Sequence, residues 1–277
     1  MRKIKIVADS SANIQSLKQI DFASAPLKIM TDEREFTDDT ALRVEEMVLF
    51  FDAYKGKSKT SCPGPADWLD AFGDADDIFC LTITSGLSGS YNAACIAKKM
   101  YESEHIGSRV FVIDTLSTGP EMELLIEKIE ECITQNMSYE EICPLISSYQ
   151  QKTGLIFMLE SLKNFAANGR VSPAIARLTG LLGIRIVGKA SDAGTLEPLS
   201  KCRGENASLK SICSHLQASG YQGGKIRIAH SQNLPAAIRL KNLIKESTPS
   251  ADVAIRECRG LCSYYAEKGG LLVGFEI

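Results

Sequence analysis

The stretch Leu81-Thr82-Ile83-Thr84-Ser85-Gly86-Leu87-Ser88-Gly89-Ser90-Tyr91-Asn92 decides the fold. An apolar run stops in a loop of serine and glycine, and a helical pattern follows at once, with Ala93, Ala94, Ala97 and Met100 on one small-residue face. A strand that empties into such a loop at a helix N-terminus gathers backbone N–H groups and hydroxyls in one place. That is a ready site for a carboxylate or a phosphate.

The rhythm of strand, polar loop and helix recurs on both sides of this stretch. Residues 3–8 alternate like a strand and meet Asp9-Ser10-Ser11-Ala12-Asn13, after which a short helix is predicted over 14–20. Asp9, Ser10 and Ser11 read either as a helix cap or as part of a ligand face at a strand end. Residues 25–30 read as a second strand, 33–40 as a polar hairpin and 44–54 as a helix. Thr60-Ser61-Cys62-Pro63-Gly64-Pro65 reads as a loop before the next helix. Residues 109–114 form a further strand, whose loop Leu116-Ser117-Thr118-Gly119 leads to helices over 121–133 and 139–152. This periodicity predicts an α/β domain with a parallel sheet over residues 1–153, its polar loops gathered at the C-terminal edge of the strands. Beyond it the rhythm changes. A helix from 173 through 182, a hairpin around Ser191-Asp192-Ala193-Gly194 and strands at 225–229, 252–257 and 271–275 predict an α+β domain over 154–277.

The 277 residues are enough for two ordinary domains. Hydrophobic residues at 44% and charged residues at 23% fall in the globular range. The net charge of −3 comes without any long run of Lys or Arg, which argues against a nucleic-acid partner. Charge mixed into the first eight residues does not fit a signal peptide, and no apolar segment is long enough to span a bilayer. A cytoplasmic protein without stable membrane insertion is expected. Nine scattered cysteines without a Cys-x-x-Cys read as buried thiols, and three separated histidines give no metal site.

Gly86-Leu87-Ser88-Gly89-Ser90 falls one glycine short of a nucleophile elbow. A serine nucleophile needs a base, and His230, at an apparent strand end, is the only plausible partner. A Ser88-dependent esterase or acyl hydrolase is therefore one reading of the loop. A P-loop is absent, and Asp9-Ser10-Ser11 stands where a dinucleotide fingerprint would need glycines. What recurs at strand ends is hydroxyl: Ser10, Ser11, Thr60, Ser61, Ser85, Ser88 and Ser117. Uncharged donors with backbone N–H groups suit holding an anion better than cleaving a bond.

In order along the chain, Asp9-Ser10-Ser11-Ala12, Thr60-Ser61-x-Pro63, Ser85-Gly86-Leu87-Ser88-Gly89-Ser90-Tyr91, Val112-Ile113-Asp114-Thr115, Gly169-Arg170-Val171-Ser172 and Gly270-Leu271-Leu272-Val273-Gly274-Phe275 resemble the DegV family of bacterial lipid-binding proteins. The resemblance spans nearly the whole chain, and the Ser-Gly-Leu-Ser-Gly block is its most specific part. It implies a two-domain α/β protein with a long-chain fatty acid bound between the domains and no other cofactor. It also implies a carrier similar to the fatty-acid-binding subunit of fatty acid kinase, with any kinase activity in a separate ATP-dependent partner. Carried onto this chain, Thr60 or Ser61 and Ser88 would bond the carboxylate, with the Gly89 N–H as a further donor. Arg170 and Arg203 would lie at the pocket mouth or on the partner-facing surface. The family usually has Thr-His-Thr-Gly-Pro-Gly near its C-terminus. Here Tyr264-Tyr265-Ala266-Glu267-Lys268-Gly269 aligns with it, and Tyr265 takes the histidine position. A tyrosine OH still donates to a carboxylate but offers no group that titrates near neutral pH. This departure leaves a third reading, a regulatory protein with a vestigial pocket.

Overall fold

The computed structural model describes residues 2–176 and 183–277. The first half runs through β1 (Ile4–Asp9), β2 (Asp21–Ala25), β3 (Lys28–Met30), β4 (Glu35–Thr37), α1 (Val44–Ala53), β5 (Lys59–Ser61) and α2 (Pro65–Phe72). It continues with β6 (Asp77–Thr82), α3 (Ser90–Glu104), β7 (Arg109–Asp114), α4 (Pro120–Thr134) and α5 (Tyr139–Gln150). The second half holds β8 (Thr153–Leu159), α6 (Lys163–Ala167), α7 (Pro173–Ala176), β9 (Ile184–Ala190), β10 (Leu196–Arg203) and α8 (Glu205–Ala218). After these come β11 (Lys225–His230), α9 (Leu234–Ser247), β12 (Asp252–Glu257), α10 (Gly260–Ala266) and β13 (Leu271–Glu276).

The first half is built on a parallel sheet of order β2-β1-β6-β7. Alternate residues leave it on opposite faces, as strand geometry requires. Ile6, Ala8, Phe79 and Leu81 meet α4 and α5 through Met122, Ile126 and Ile146, while Val7, Ile78 and Cys80 meet α2 and α3 through Trp68, Phe72 and Ala97. Both faces are covered, so the middle of β6, Ile78–Leu81, is a continuous apolar run. The second half is built on a six-stranded mixed sheet of order β10-β9-β8-β13-β11-β12, in which only β11 and β12 pair in parallel. Here too β8 splits by parity: Ile156 and Met158 pack on α8 and α9, whereas Leu155, Phe157 and Leu159 face the other way, toward the first half. The expected α/β class and two-part organisation are thus present. Among the described residues no helix is long and apolar enough to cross a membrane.

The two sheets share α4. Its first turn lies so close to β13 that a Cβ on Gly274 would meet the Pro120 carbonyl at 2.5 Å. Arg227 on β11 reaches Glu127 on α4 through two parallel bonds of 2.7 Å, a bidentate geometry that fixes orientation as well as distance. Arg256 pairs with Glu123, and Lys225 with Glu127 and Glu131.

Three local expectations change. The helix expected over 14–20 is not formed. The buried Asp9 carboxylate accepts from Ser11 N, closing a single 3-10 turn at Ser10–Ala12, and Asn13 then turns left-handed with φ 63°. Ile14, Leu17 and Ile20 pack on the core as irregular chain. The strand expected over 25–30 is divided at Pro26, which has no N–H to continue a ladder: β2 belongs to the parallel sheet and β3 to a separate sheet of order β4-β3-β5. Thr60 and Ser61, read as loop, are the edge strand β5 of that small sheet. The helix expected over 173–182 begins as α7, and its remainder lies outside the described residues.

Candidate functional site

Because β1, β6 and β7 run in parallel, the loops that follow them emerge on one edge, and hydrogen bonds lock them together. Asp9 Oδ2 accepts from Ile83 N at 2.8 Å and from Ser90 Oγ at 2.6 Å. Thr84 N donates to Ser117 O at 2.9 Å, and Gly119 N to Ser11 O at 2.8 Å. Asp9 is therefore a buried organiser of the Ser-Gly loop rather than a ligand group, and burial pushes its carboxyl above the usual range.

The hairpin of β9 and β10 closes over this edge from the second half. A Cβ on Gly86 would meet Ala193 O at 2.5 Å, and one on Gly194, at φ 69°, would collide with Thr84 Oγ1. Only glycine permits this approach at both positions. Between the loops and the second sheet lies a cavity with about 860 Å³ of atom-free space, counted to its open mouth. One end of its wall is polar, with Thr60, Ser61, Ser88, Arg170 and Tyr265. Most of the rest is apolar, including Leu155, Phe157, Leu159, Leu196 and Leu272.

At the polar end Tyr265 OH and Thr60 Oγ1 are 2.7 Å apart. Burial pushes the Tyr265 phenol up, so it stays protonated at neutral pH and can donate, while Thr60 and the nearby Arg170 pull the other way. Among the described residues Ser61 Oγ has no hydrogen-bond partner, and Ser88 Oγ accepts only the Ser90 N–H, at 3.3 Å. Both hydroxyls keep their proton for a ligand. The Arg170 guanidinium bonds Asn168 O at 2.6 Å and Leu87 O at 3.3 Å, tying the segment after α6 to the Ser-Gly loop. Gly89 sits beside these groups, its Cβ position 3.3 Å from Cys62 Sγ, but it is not part of the cavity wall. Arg203 is exposed at the end of β10 and also lies outside that wall.

Several supporting residues carried no sequence signal. Asp38, from the polar hairpin, is buried and accepts from Gly260 N at 2.9 Å and Leu261 N at 2.8 Å. It thereby caps α10, the helix that carries Tyr265. Asn168, legible only as a helix-end residue before Gly169, accepts from Thr60 N at 3.2 Å and donates to Tyr264 OH at 3.0 Å. Phe165 packs on the Tyr265 ring at 4.6 Å between centroids.

None of the three histidines lines the cavity. His230 accepts from Asn233 N, His215 bonds Ser200, and His105 stacks on Tyr101. Ser88 has no imidazole base within reach, which removes the geometric support for an esterase.

A family model described as an uncharacterised protein of the DegV family matches residues 3–276. A DegV domain-containing protein of Streptococcus pneumoniae is 43% identical over 277 residues, covering 99% of both chains. Among solved structures, a DegV family protein from Eubacterium eligens loaded with heptadecanoic acid superposes with a TM-score of 0.97 at 44% identity. The Streptococcus pneumoniae Fatty Acid Kinase (Fak) B3 protein loaded with linoleic acid does so with 0.97 at 43%; in each case 99% of both chains is covered. The fold, the cavity between its sheets and the length of these matches agree, and the chain belongs to the DegV family.

Proposed function

We propose that this protein binds a long-chain fatty acid in the cavity between its two sheets and presents the carboxylate to a partner fatty acid kinase. The observation that carries this reading is the division of one cavity into a hydroxyl-rich end and a long apolar wall. Relatives at 43–44% identity that hold heptadecanoic and linoleic acids support it. The carboxylate sits among Thr60 Oγ1, Ser61 Oγ, Ser88 Oγ and Tyr265 OH, with the Gly89 N–H and the Arg170 charge close by. A buried carboxylate needs such convergent donors to stay ionised. The acyl chain lies along Leu155, Phe157, Leu159 and Leu272. About 15 methylenes at ~0.8 kcal/mol each contribute on the order of 12 kcal/mol before association costs.

In this reading residues 1–153 supply most of the carboxylate donors and residues 154–277 cover the chain, although Tyr265 crosses that division. The protein acts as a carrier, and phosphoryl transfer belongs to the partner. Arg203, exposed and away from the cavity, suits the partner-facing surface rather than the pocket mouth. Denaturing mass spectrometry of the purified protein is expected to release a long-chain fatty acid, and delipidated protein to take one up. Protein that is reproducibly lipid-free and refuses added fatty acid would overturn the proposal. Phosphorylation of the bound acid by an added fatty acid kinase tests the presentation step separately.

A further inference from the structure

Thr60 Oγ1 and Tyr265 OH, 2.7 Å apart, stand on different elements, β5 and α10. Their relative position therefore depends on what holds the strand to the helix. Asn168, half-buried at the end of α6, reaches both. Its Oδ1 accepts from Thr60 N at 3.2 Å, and its Nδ2 donates to Tyr264 OH at 3.0 Å and to Asn164 O at 2.9 Å. β5 is the edge of its sheet, and the amide satisfies an N–H on the open side. The amide fits in one orientation. Reversed, it would set its NH2 against the Thr60 N–H and its oxygen against the Asn164 carbonyl. Tyr264 OH stands 2.6 Å from Ser58 Oγ, and the Tyr264 and Tyr265 rings meet edge to face at 4.9 Å between centroids. These contacts close a circuit from Asn168 through Thr60, Tyr265 and Tyr264 back to Asn168. The Asn168 carbonyl also accepts from the Arg170 guanidinium at 2.6 Å, which ties the charge to the same point.

We propose that Asn168 is a positioning residue for the head group: its amide sets Thr60 against Tyr265 and so decides how strongly the cavity prefers a carboxylate to an uncharged head. The inference rests on the fatty-acid reading of the cavity. A carboxylate gains from convergent donors through charge-assisted bonds, which are roughly twice as strong as neutral ones, and it loses correspondingly when a donor is misplaced. An alcohol of the same chain length buries the same methylenes but makes only neutral bonds at its head. Donor placement therefore separates the two ligands, whereas the apolar wall treats them alike.

Delipidated protein is titrated with myristic acid and with 1-tetradecanol, each in competition with a fluorescent fatty acid. The unmodified protein is expected to prefer the acid. Asn168→Ala is expected to narrow that preference about three- to tenfold while tetradecanol affinity holds. Thr60→Val keeps the backbone N–H and is expected to narrow it as well. Asn168→Ala added to Thr60→Val is expected to narrow it by less than about twofold more, because the amide acts through Thr60. Thermal melting checks that each variant folds. If Asn168→Ala leaves both affinities unchanged or weakens acid and alcohol by one factor, or if the two substitutions multiply in full, the inference fails and the fatty-acid reading stands. Should Asn168→Ala not fold, Tyr264→Phe decides. It removes the hydroxyl that anchors the amide Nδ2, and a preference equal to that of the unmodified protein overturns the inference. If the unmodified protein binds neither ligand, or binds both equally, the reading of the polar end fails with it.

Discussion

The two ends of the cavity wall are made by opposite means. The polar end comes chiefly from short loops of the first half, where hydroxyls stand at strand ends and each loop is held by its neighbours: Asp9 to Ile83 and Ser90, Thr84 to Ser117, Gly119 to Ser11. The apolar end comes chiefly from one face of a regular sheet, where strand parity alone sends Leu155, Phe157 and Leu159 inward. A loop site is specific but depends on many small bonds. A sheet face has little directional chemistry but resists local change. Affinity should therefore be dominated by the sheet face, and placement of the ligand's head by the loops.

The largest effect should come from breaking the apolar wall. Phe157 is 4% exposed and fills the space over Gly188. Phe157→Ala is expected to lower folding stability by about 3–5 kcal/mol, read by denaturant unfolding of the lipid-free protein. A loss under 1 kcal/mol would mean that the ring is not part of the packed core. Next comes the head. Ser88→Ala is expected to weaken fatty-acid binding by about 1–3 kcal/mol with little change in melting temperature, as measured by calorimetric titration. Affinity equal to that of the unmodified protein would show that Ser88 does not touch the carboxylate. Tyr265→Phe removes one donor and leaves Thr60 Oγ1 without its 2.7 Å partner, so a smaller loss of about 0.5–1.5 kcal/mol in binding is expected. If the variant binds as tightly as the unmodified protein, the tyrosine only packs.

The smallest effect separates chemistry from packing along α10. Burial pushes the Cys262 thiol up to about 12, above its ordinary value of 9.0. The folded protein then holds this proton where the unfolded chain has released it, so the stability contribution is full below the ordinary value and is lost as pH rises toward about 12. Cys262→Ala is expected to flatten part of the alkaline decline in denaturant midpoint. An unchanged slope would show that other buried thiols, such as Cys80 and Cys258, account for it.

Much of the fold was legible because periodicity is local. The strand, loop and helix order around residues 77–104 stands as β6 and α3, and the change of rhythm after residue 153 coincides with the start of the mixed sheet. The failures have local causes that periodicity does not register. Ile14, Leu17 and Ile20 have helical spacing, but Asp9 closes a 3-10 turn and Asn13 redirects the chain. Residues 25–30 are uniformly strand-like, yet Pro26 cannot carry a ladder across.

The candidate site divides in the same way. Thr60, Ser61, Ser88, Arg170 and Tyr265 were chosen from sequence and line one cavity, while Gly89 and Arg203, chosen with them, are not part of its wall. Asp38 and Asn168 could not have been chosen, because the site residues they bond, Gly260 and Leu261 for one and Thr60 and Tyr264 for the other, are remote in sequence.

The sequence by itself determined that hydroxyl-rich loops follow parallel strands, because alternation, glycine and serine act over a few residues. It also carried the ordered blocks that mark the family. Only the tertiary structure decided what those loops enclose. Parity along β8 presents an apolar face, α4 holds that face opposite the loops through Glu127 and Arg227, and glycines at 86 and 194 let the hairpin close against Thr84. A cavity is space between surfaces distant in sequence, and its shape follows from how those surfaces pack.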